Sequence, residues 1–173
     1  GLFTIQAADP TDPSPEPDWL TYDRFTVPRV APEVTLISPD GGELWKGTQT
    51  ITWSASSPQG FPLTYSLSYS ADGGTTFLPL ASGLTATSYT WDTTLFPSSD
   101  RYLIRVTASD GVKIASATSR AVFTVDNVPP TVTITQPAAG DTVSGLVTIK
   151  ATATDNIEVA SVRLYAGVVL LAT

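Results

Sequence analysis

The sequence predicts an all-β chain of tandem β-sandwich units, the last of them incomplete, and three observations carry that expectation. The first is an internal repeat. Phe25-Thr26-Val27 and Pro32-Glu33-Val34-Thr35-Leu36 return as Phe123-Thr124-Val125 and Pro130-Thr131-Val132-Thr133-Ile134, an offset of 98 residues from Phe25 to Phe123. It runs on without a gap, setting Pro39 over Pro137, Gly42 over Gly140, Gly47 over Gly145 and Thr50-Ile51 over Thr148-Ile149. A period near a hundred residues, short-stranded and opened by proline-rich joints, fits sandwich units in series better than one enzyme body. The second observation is alternation at period two: Ile51, Trp53 and Ala55 oppose Thr50, Thr52 and Ser54, and Tyr102, Ile104, Val106 and Ala108 oppose Arg105 and Thr107. The third is composition, 42% hydrophobic but only 14% charged and rich in Ser and Thr, as in an extracellular β-protein.

The elements follow in order. Residues 1–33 are expected to be the tail of a preceding domain, or a donor strand, followed by a proline-rich linker. Asp9-Pro10-Thr11-Asp12-Pro13-Ser14-Pro15-Glu16-Pro17 excludes both helix and ladder, because proline has no N–H to donate and forces its predecessor into extended conformations. Phe25-Thr26-Val27 matches the strand that closes the next copy and is read as closing the domain before it. Residues 34–127 are read as a complete seven-stranded β-sandwich, with strands near 34–38, 49–55, 63–70, 76–81, 87–91, 101–109 and 116–125. Turn signals separate them: Pro39-Asp40-Gly41-Gly42, Pro58-Gln59-Gly60, Asp72-Gly73-Gly74, Pro97-Ser98-Ser99-Asp100 and Asp110-Gly111. Residues 128–173 are read as the first half of a second sandwich, with strands near 131–136, 146–154, 159–165 and 168–172. Half a sandwich exposes one apolar face and a free edge, so it is not expected to be stable alone.

Composition also removes function classes. There is no cysteine and no histidine, so disulfides, thiolate metal sites, the usual general base and the commonest metal ligand are all excluded. A hydrolytic triad lacks its base, and no glycine-rich phosphate loop precedes a helix. The chain is read as no enzyme, with no cofactor of its own. A formal net charge of −7 disfavours nucleic acid and anionic membrane as partners but suits calcium. No apolar run reaches the length of a membrane helix, so no membrane insertion is expected in this segment. With Gly1 first and no methionine anywhere, the sequence reads as an internal piece of a longer processed precursor.

Ile37-Ser38-Pro39-Asp40-Gly41-Gly42-Glu43-Leu44-Trp45 and Thr48-Gln49-Thr50-Ile51-Thr52-Trp53 resemble the fibronectin-type-III-like and Ig-like accessory domains of secreted and cell-surface prokaryotic proteins. Pro129-Pro130-Thr131-Val132 and Ala153-Thr154-Asp155-Asn156-Ile157-Glu158-Val159-Ala160-Ser161-Val162 resemble a bacterial Ig-like repeat. The resemblance implies tandem Ig-like or fibronectin-III-like sandwiches with an extracellular, secreted or cell-surface location. It is specific for fold and not for function, since such sandwiches serve as spacers, adhesins, sugar binders and polymer subunits alike.

Three places carry candidate chemistry. Ser70-Ala71-Asp72-Gly73-Gly74-Thr75-Thr76-Phe77 resembles the Asp-box turn of sialidase-type propellers, and as a single copy it is read as a structural hairpin. Trp53 and Trp91 alternate with inward residues and are read as core. Trp45 stands beside Lys46-Gly47 in a loop, where an exposed aromatic would be the candidate glycan contact, although a plug at the sandwich end is the safer reading. Asp126 and Asn127 at the joint, with Asp155 and Asn156 in the following domain, offer the oxygen ligands that calcium needs. The same residue types are also standard Asx-turn formers.

The expected role is a non-catalytic structural, adhesive or spacer module of a larger surface or secreted protein, whose partners are neighbouring domains or copies of the same chain. Two alternatives stand beside it. One is a surface filament assembled by strand donation, with Leu2-Phe3-Thr4-Ile5 as donor because it resembles Val122-Phe123-Thr124-Val125. The other is a carbohydrate-binding accessory module of a secreted hydrolase, with polysaccharide as partner.

Overall fold

The computed structural model describes residues 28–173, and the strands among them follow the period-two alternation of the sequence. In chain order they are β1 (Glu33–Ser38), β2 (Leu44–Trp45), β3 (Thr48–Ser56), β4 (Thr64–Ser70), β5 (Leu78–Leu84), β6 (Ser88–Asp92), β7 (Ser99–Ser109), β8 (Ile114–Thr118), β9 (Phe123–Val125), β10 (Thr131–Gln136), β11 (Lys150–Thr154), β12 (Leu164–Ala166) and β13 (Val169–Ala172). The donor segment Leu2–Ile5, the proline-rich spacer, Trp19 and the closing strand Phe25–Val27 lie outside the described residues.

Residues 33–125 build two facing sheets, one ordered β1-β3-β6 and the other β2-β9-β7-β4-β5, with β8 also paired to β7. All the pairings are antiparallel except β2 on β9. Alternation decides what lies between the sheets. Ile51 and Trp53 of β3 face Leu67 of β4 and Tyr102, Ile104, Val106 and Ala108 of β7, all buried in one core with Trp91, Phe123 and Val125. Full burial of a large apolar side chain stabilises by about 1.5–3 kcal/mol. The other register positions carry hydroxyls: Ser66, Thr107 and Ser116 lie side by side across β4, β7 and β8, as do Ser68, Arg105 and Thr118. The continuous apolar set lies on the inner faces, so the two sheets close on each other over it.

The sequence expectation for the last strand, 116–125, needs correction. It is two strands, β8 and β9, parted by Ser119–Val122. At the break Ser119 bonds Ile104 by backbone and by side chain, its N–H donating to Ile104 O at 2.9 Å and its hydroxyl accepting from Ile104 N at 3.1 Å. The turn Asp40-Gly41-Gly42 then packs against the break: Gly42 N donates to Val122 O, Ala121 N donates to Asp40 O, and Arg120 pairs with the Asp40 carboxylate. This turn delivers β2, which alternation alone does not reveal because it is two residues long.

The 98-residue repeat is a repeat of register. β1 pairs β3 from Glu33↔Ser56 to Leu36↔Trp53, with an irregularity between Leu36 and Ser38; β10 pairs β11 from Thr131↔Thr154 to Ile134↔Ala151, with the same irregularity between Ile134 and Gln136. The following turn repeats as well. Glu43 accepts from Asp40 N at 2.7 Å and Asp141 accepts from Ala138 N at 2.9 Å, while Gly42 and Gly140 share positive φ values of 81° and 91°.

Two expected strands of this second unit come out shorter than 146–154 and 159–165, since the ladder occupies only β11 and β12. The first copy supplies the reason. There, Thr48–Thr52 is held as strand by pairing with β6, and no strand equivalent to β6 stands beside residues 146–150 among the described residues. A strand without a partner leaves its backbone groups to water. Burial shows the same difference: Leu36 is 6% exposed, whereas its counterpart Ile134 is 56% exposed.

Candidate functional site

The base of the first sandwich places Trp45 and Asn127. Pairing of β2 with β9 sets Trp45 beside Val125 and turns its indole inward, where it is 7% exposed. It packs at 5.1 Å on Phe123 and at 6.1 Å, edge to face, on Trp91. Trp45 is therefore the plug at the sandwich end, the safer of its two sequence readings, and its candidacy as an exposed glycan contact is corrected. The physical reason is the parallel bridge, which makes the residue beside Lys46-Gly47 part of a sheet instead of a free loop. Trp53 and Trp91 are 2% exposed, as their alternation predicts, and Trp53 meets Tyr65 edge to face at 5.4 Å.

The four candidate calcium residues are placed as follows. Asn127 is turned back onto the sandwich it leaves: its Oδ1 accepts from Gly47 N at 2.8 Å, its Nδ2 donates to Thr93 O at 3.0 Å, and its own N–H donates to the Ser98 hydroxyl at 3.2 Å. Thr93, fully buried, donates its hydroxyl to Gly47 O at 2.7 Å. Asp126 faces the other way, across the joint. Its Oδ1 accepts from Val128 N at 3.1 Å and from Asn156 Nδ2 at 3.3 Å. Asp155 caps its own turn, accepting from Ile157 N at 2.9 Å and Glu158 N at 3.2 Å. The structure thus brings Asp126 and Asn156 together and commits Asn127 elsewhere. Among the described residues no three acidic groups gather in the manner of a metal site.

The Asp72 hairpin between β4 and β5 is organised from within. Asp72 accepts from Thr76 N at 3.0 Å, from the Thr76 hydroxyl at 2.5 Å and from the Ser70 hydroxyl at 2.7 Å. These bonds, the Thr76 hydroxyl foremost, hold its carboxyl well below the usual carboxylate range. Gly73 N donates to Arg101 O at 2.9 Å and Phe77 lies 3.6 Å beneath the Arg105 guanidinium, so the hairpin is pinned to β7. Every oxygen of Asp72 has a turn partner, as a structural role requires.

For Tyr102 the alternation named the inward face but not the role of the hydroxyl. The Tyr102 hydroxyl donates to Pro97 O at 2.7 Å, which makes a tyrosine corner at the start of β7, the strand that occupies the F position of an Ig-type sandwich. Burial, with Tyr69 nearby, pushes its phenol up to about 12. The signal was present as a tyrosine opening a cleanly alternating strand five residues after a proline.

Two sheets, a split first strand with a parallel segment on the last, and a tyrosine corner define the class: an all-β Ig-like sandwich, followed by the opening strands of another. Residues 130–173 match the sequence family described as Bacterial Ig domain. The C-terminal unit is accordingly similar to bacterial Ig domains, as its residues predicted, and the match points to a module type instead of a catalytic body. No curated protein and no solved structure matches the chain significantly.

Proposed function

We propose that this chain is a non-catalytic spacer and structural module of a larger secreted or cell-surface protein, working by holding successive sandwiches in a fixed extended relation. The observation that carries this reading is the joint at 126–130. Asn127 is tied into the base of the first sandwich, Asp126 is bonded to Asn156 of the next unit, and only Val128-Pro129-Pro130 lies between. Two prolines remove most backbone freedom from so short a connection. The hydroxyl-covered outer faces of the sheets and the net charge of −7 keep such a module soluble without giving it a charged docking surface.

A filament built by strand donation is the second reading. It is favoured by the exposure of Val132, Ile134 and Ile149, apolar side chains whose counterparts in the first sandwich are at least partly covered. The carbohydrate-binding reading loses its aromatic with Trp45 in the core. Sedimentation velocity and electron microscopy of the full chain, together with pull-down on insoluble polysaccharides, test all three. Monomers that bind no polysaccharide are expected. Fibres would replace the proposal with the filament, and retention on polysaccharide would replace it with the accessory module.

A further inference from the structure

The end of the first sandwich opposite Trp45 carries a contact that neither the repeat nor the candidate sites account for. Pro28, Arg29 and Val30 run across the loops that join β3 to β4 and β7 to β8. Gln59 grips this segment through both ends of its amide: Oε1 accepts from Val30 N at 3.2 Å and Nε2 donates to Pro28 O at 3.2 Å. A side-chain amide used this way substitutes for one residue of a neighbouring strand. Between these two bonds the Arg29 guanidinium lies 4.0 Å over the Phe61 ring and 3.6 Å from Asp110 Oδ1. Its side chain is 33% exposed and that of Asp110 only 1%. Asp110 Oδ1 is fixed by Val112 N at 2.8 Å and Lys113 N at 2.6 Å, so the loop's own backbone holds the carboxylate that Arg29 meets.

We propose that this loop end is a docking site for the polypeptide entering the sandwich, in which Gln59, Phe61 and Asp110 clasp Pro28–Val30 and so set the direction from which the preceding unit arrives. The occupant is this chain's own joint segment. In Ig-type variable domains the corresponding loops face outward to bind ligands; here they are filled from within. The second joint also carries a side-chain amide contact, made to a carboxylate instead of to the main chain. Asp126 stands 98 residues after Pro28, and its Oδ1 accepts at 3.3 Å from Asn156 Nδ2, in the loop that follows β11, the counterpart of β3. The chemistry of the first clasp is the stronger, since a guanidinium stacked on an aromatic ring and facing a buried carboxylate adds to the hydrogen bonds.

The inference rests on the spacer reading, and trypsin tests it apart from that reading. Arg29-Val30 is a trypsin-sensitive bond, and a protease requires an extended, released segment. In the full-length native chain, cleavage after Arg29, followed by mass spectrometry, should be at least about tenfold slower than at the same bond in a peptide spanning residues 25–33. Gln59→Ala, Phe61→Ala and Asp110→Asn should each speed it, while the melting temperature shows the sandwich intact. Asp110→Asn keeps the oxygen that caps the loop and removes only the charge. Should Phe61→Ala unfold the sandwich, the other two variants decide. Cleavage in the parent as fast as in the peptide, or unchanged in Gln59→Ala and Asp110→Asn, would overturn the clasp. Rapid cleavage in a monomer that binds no polysaccharide removes the clasp and leaves the spacer. Protection within a fibre does the reverse.

Discussion

The Gly47 N–H donates to Asn127 Oδ1 at 2.8 Å across 80 residues of sequence, so the residue that ends the first sandwich also closes its base. The Asn127 side-chain amide also donates to Thr93 O, and removing it leaves the partly buried Gly47 N–H without its partner, while Thr93 O keeps its bond from Phe96 N. Asn127→Ala should cost about 1–3 kcal/mol. Millimolar calcium should leave the difference between parent and variant unchanged, because the contacts Asn127 makes in the structure are hydrogen bonds. Denaturant unfolding of both proteins with and without calcium checks this, and calcium that stabilises the parent but not the variant would return Asn127 to the ligand set.

Trp53→Ala should destabilise by about 3–5 kcal/mol, since the indole is almost wholly buried and is wedged against Tyr65. Trp45→Ala should fall in the same range, although Trp45 follows a loop and Trp53 lies mid-strand. Equilibrium denaturation reads both. A Trp45→Ala chain as stable as the parent would mean that the indole is not part of the core.

Gly41 has φ +133°, and a Cβ there would stand 2.5 Å from the Ala121 Cβ and 2.9 Å from Ala121 backbone atoms. Backbone cannot swing aside as a flexible side chain can. Gly41→Ala should therefore cost about 1–3 kcal/mol, and it should loosen the Asp40 to Arg120 pair. Hydrogen exchange at Ala121 N, which donates to Asp40 O, should rise. The counterpart of Gly41 is Ala139, which has no positive φ, so an alanine at 41 with unchanged stability would show that the turn can adopt the second copy's conformation.

Acid should unfold the chain through its turn aspartates. Asp72 is lowered by Thr76, Asp40 by Arg120, Asp92 by Thr94 and Asp110 by the backbone of Lys113. Each binds a proton less readily folded than unfolded, where the value is about 3.9. Their stabilisation is then fully present above that value and is lost as pH falls through the folded ones. The melting temperature should be level from about pH 7 to 5 and drop below about pH 4. Asp72→Asn should make the drop shallower, and an NMR midpoint for Asp72 at the unfolded value would contradict the scheme.

By itself the sequence determined the periodic part of this protein. Alternation named Ile51, Trp53, Tyr102, Ile104 and Val106 as inward, because a strand's side chains change face at every residue whatever it pairs with. The offset of 98 residues likewise marked which residues would share a register, and β10 with β11 reproduces β1 with β3 residue for residue. Tertiary structure alone decided the rest. Trp45 became core because a two-residue parallel bridge to β9 turned it in, and Asn127 became a brace because Gly47 and Thr93 lie beneath it. The clasp on Arg29 needed two loops, at Gln59–Phe61 and at Asp110, that are about fifty residues apart in sequence and adjacent only once both sheets are folded. Such contacts have no period and depend on where loops converge, which local sequence does not encode.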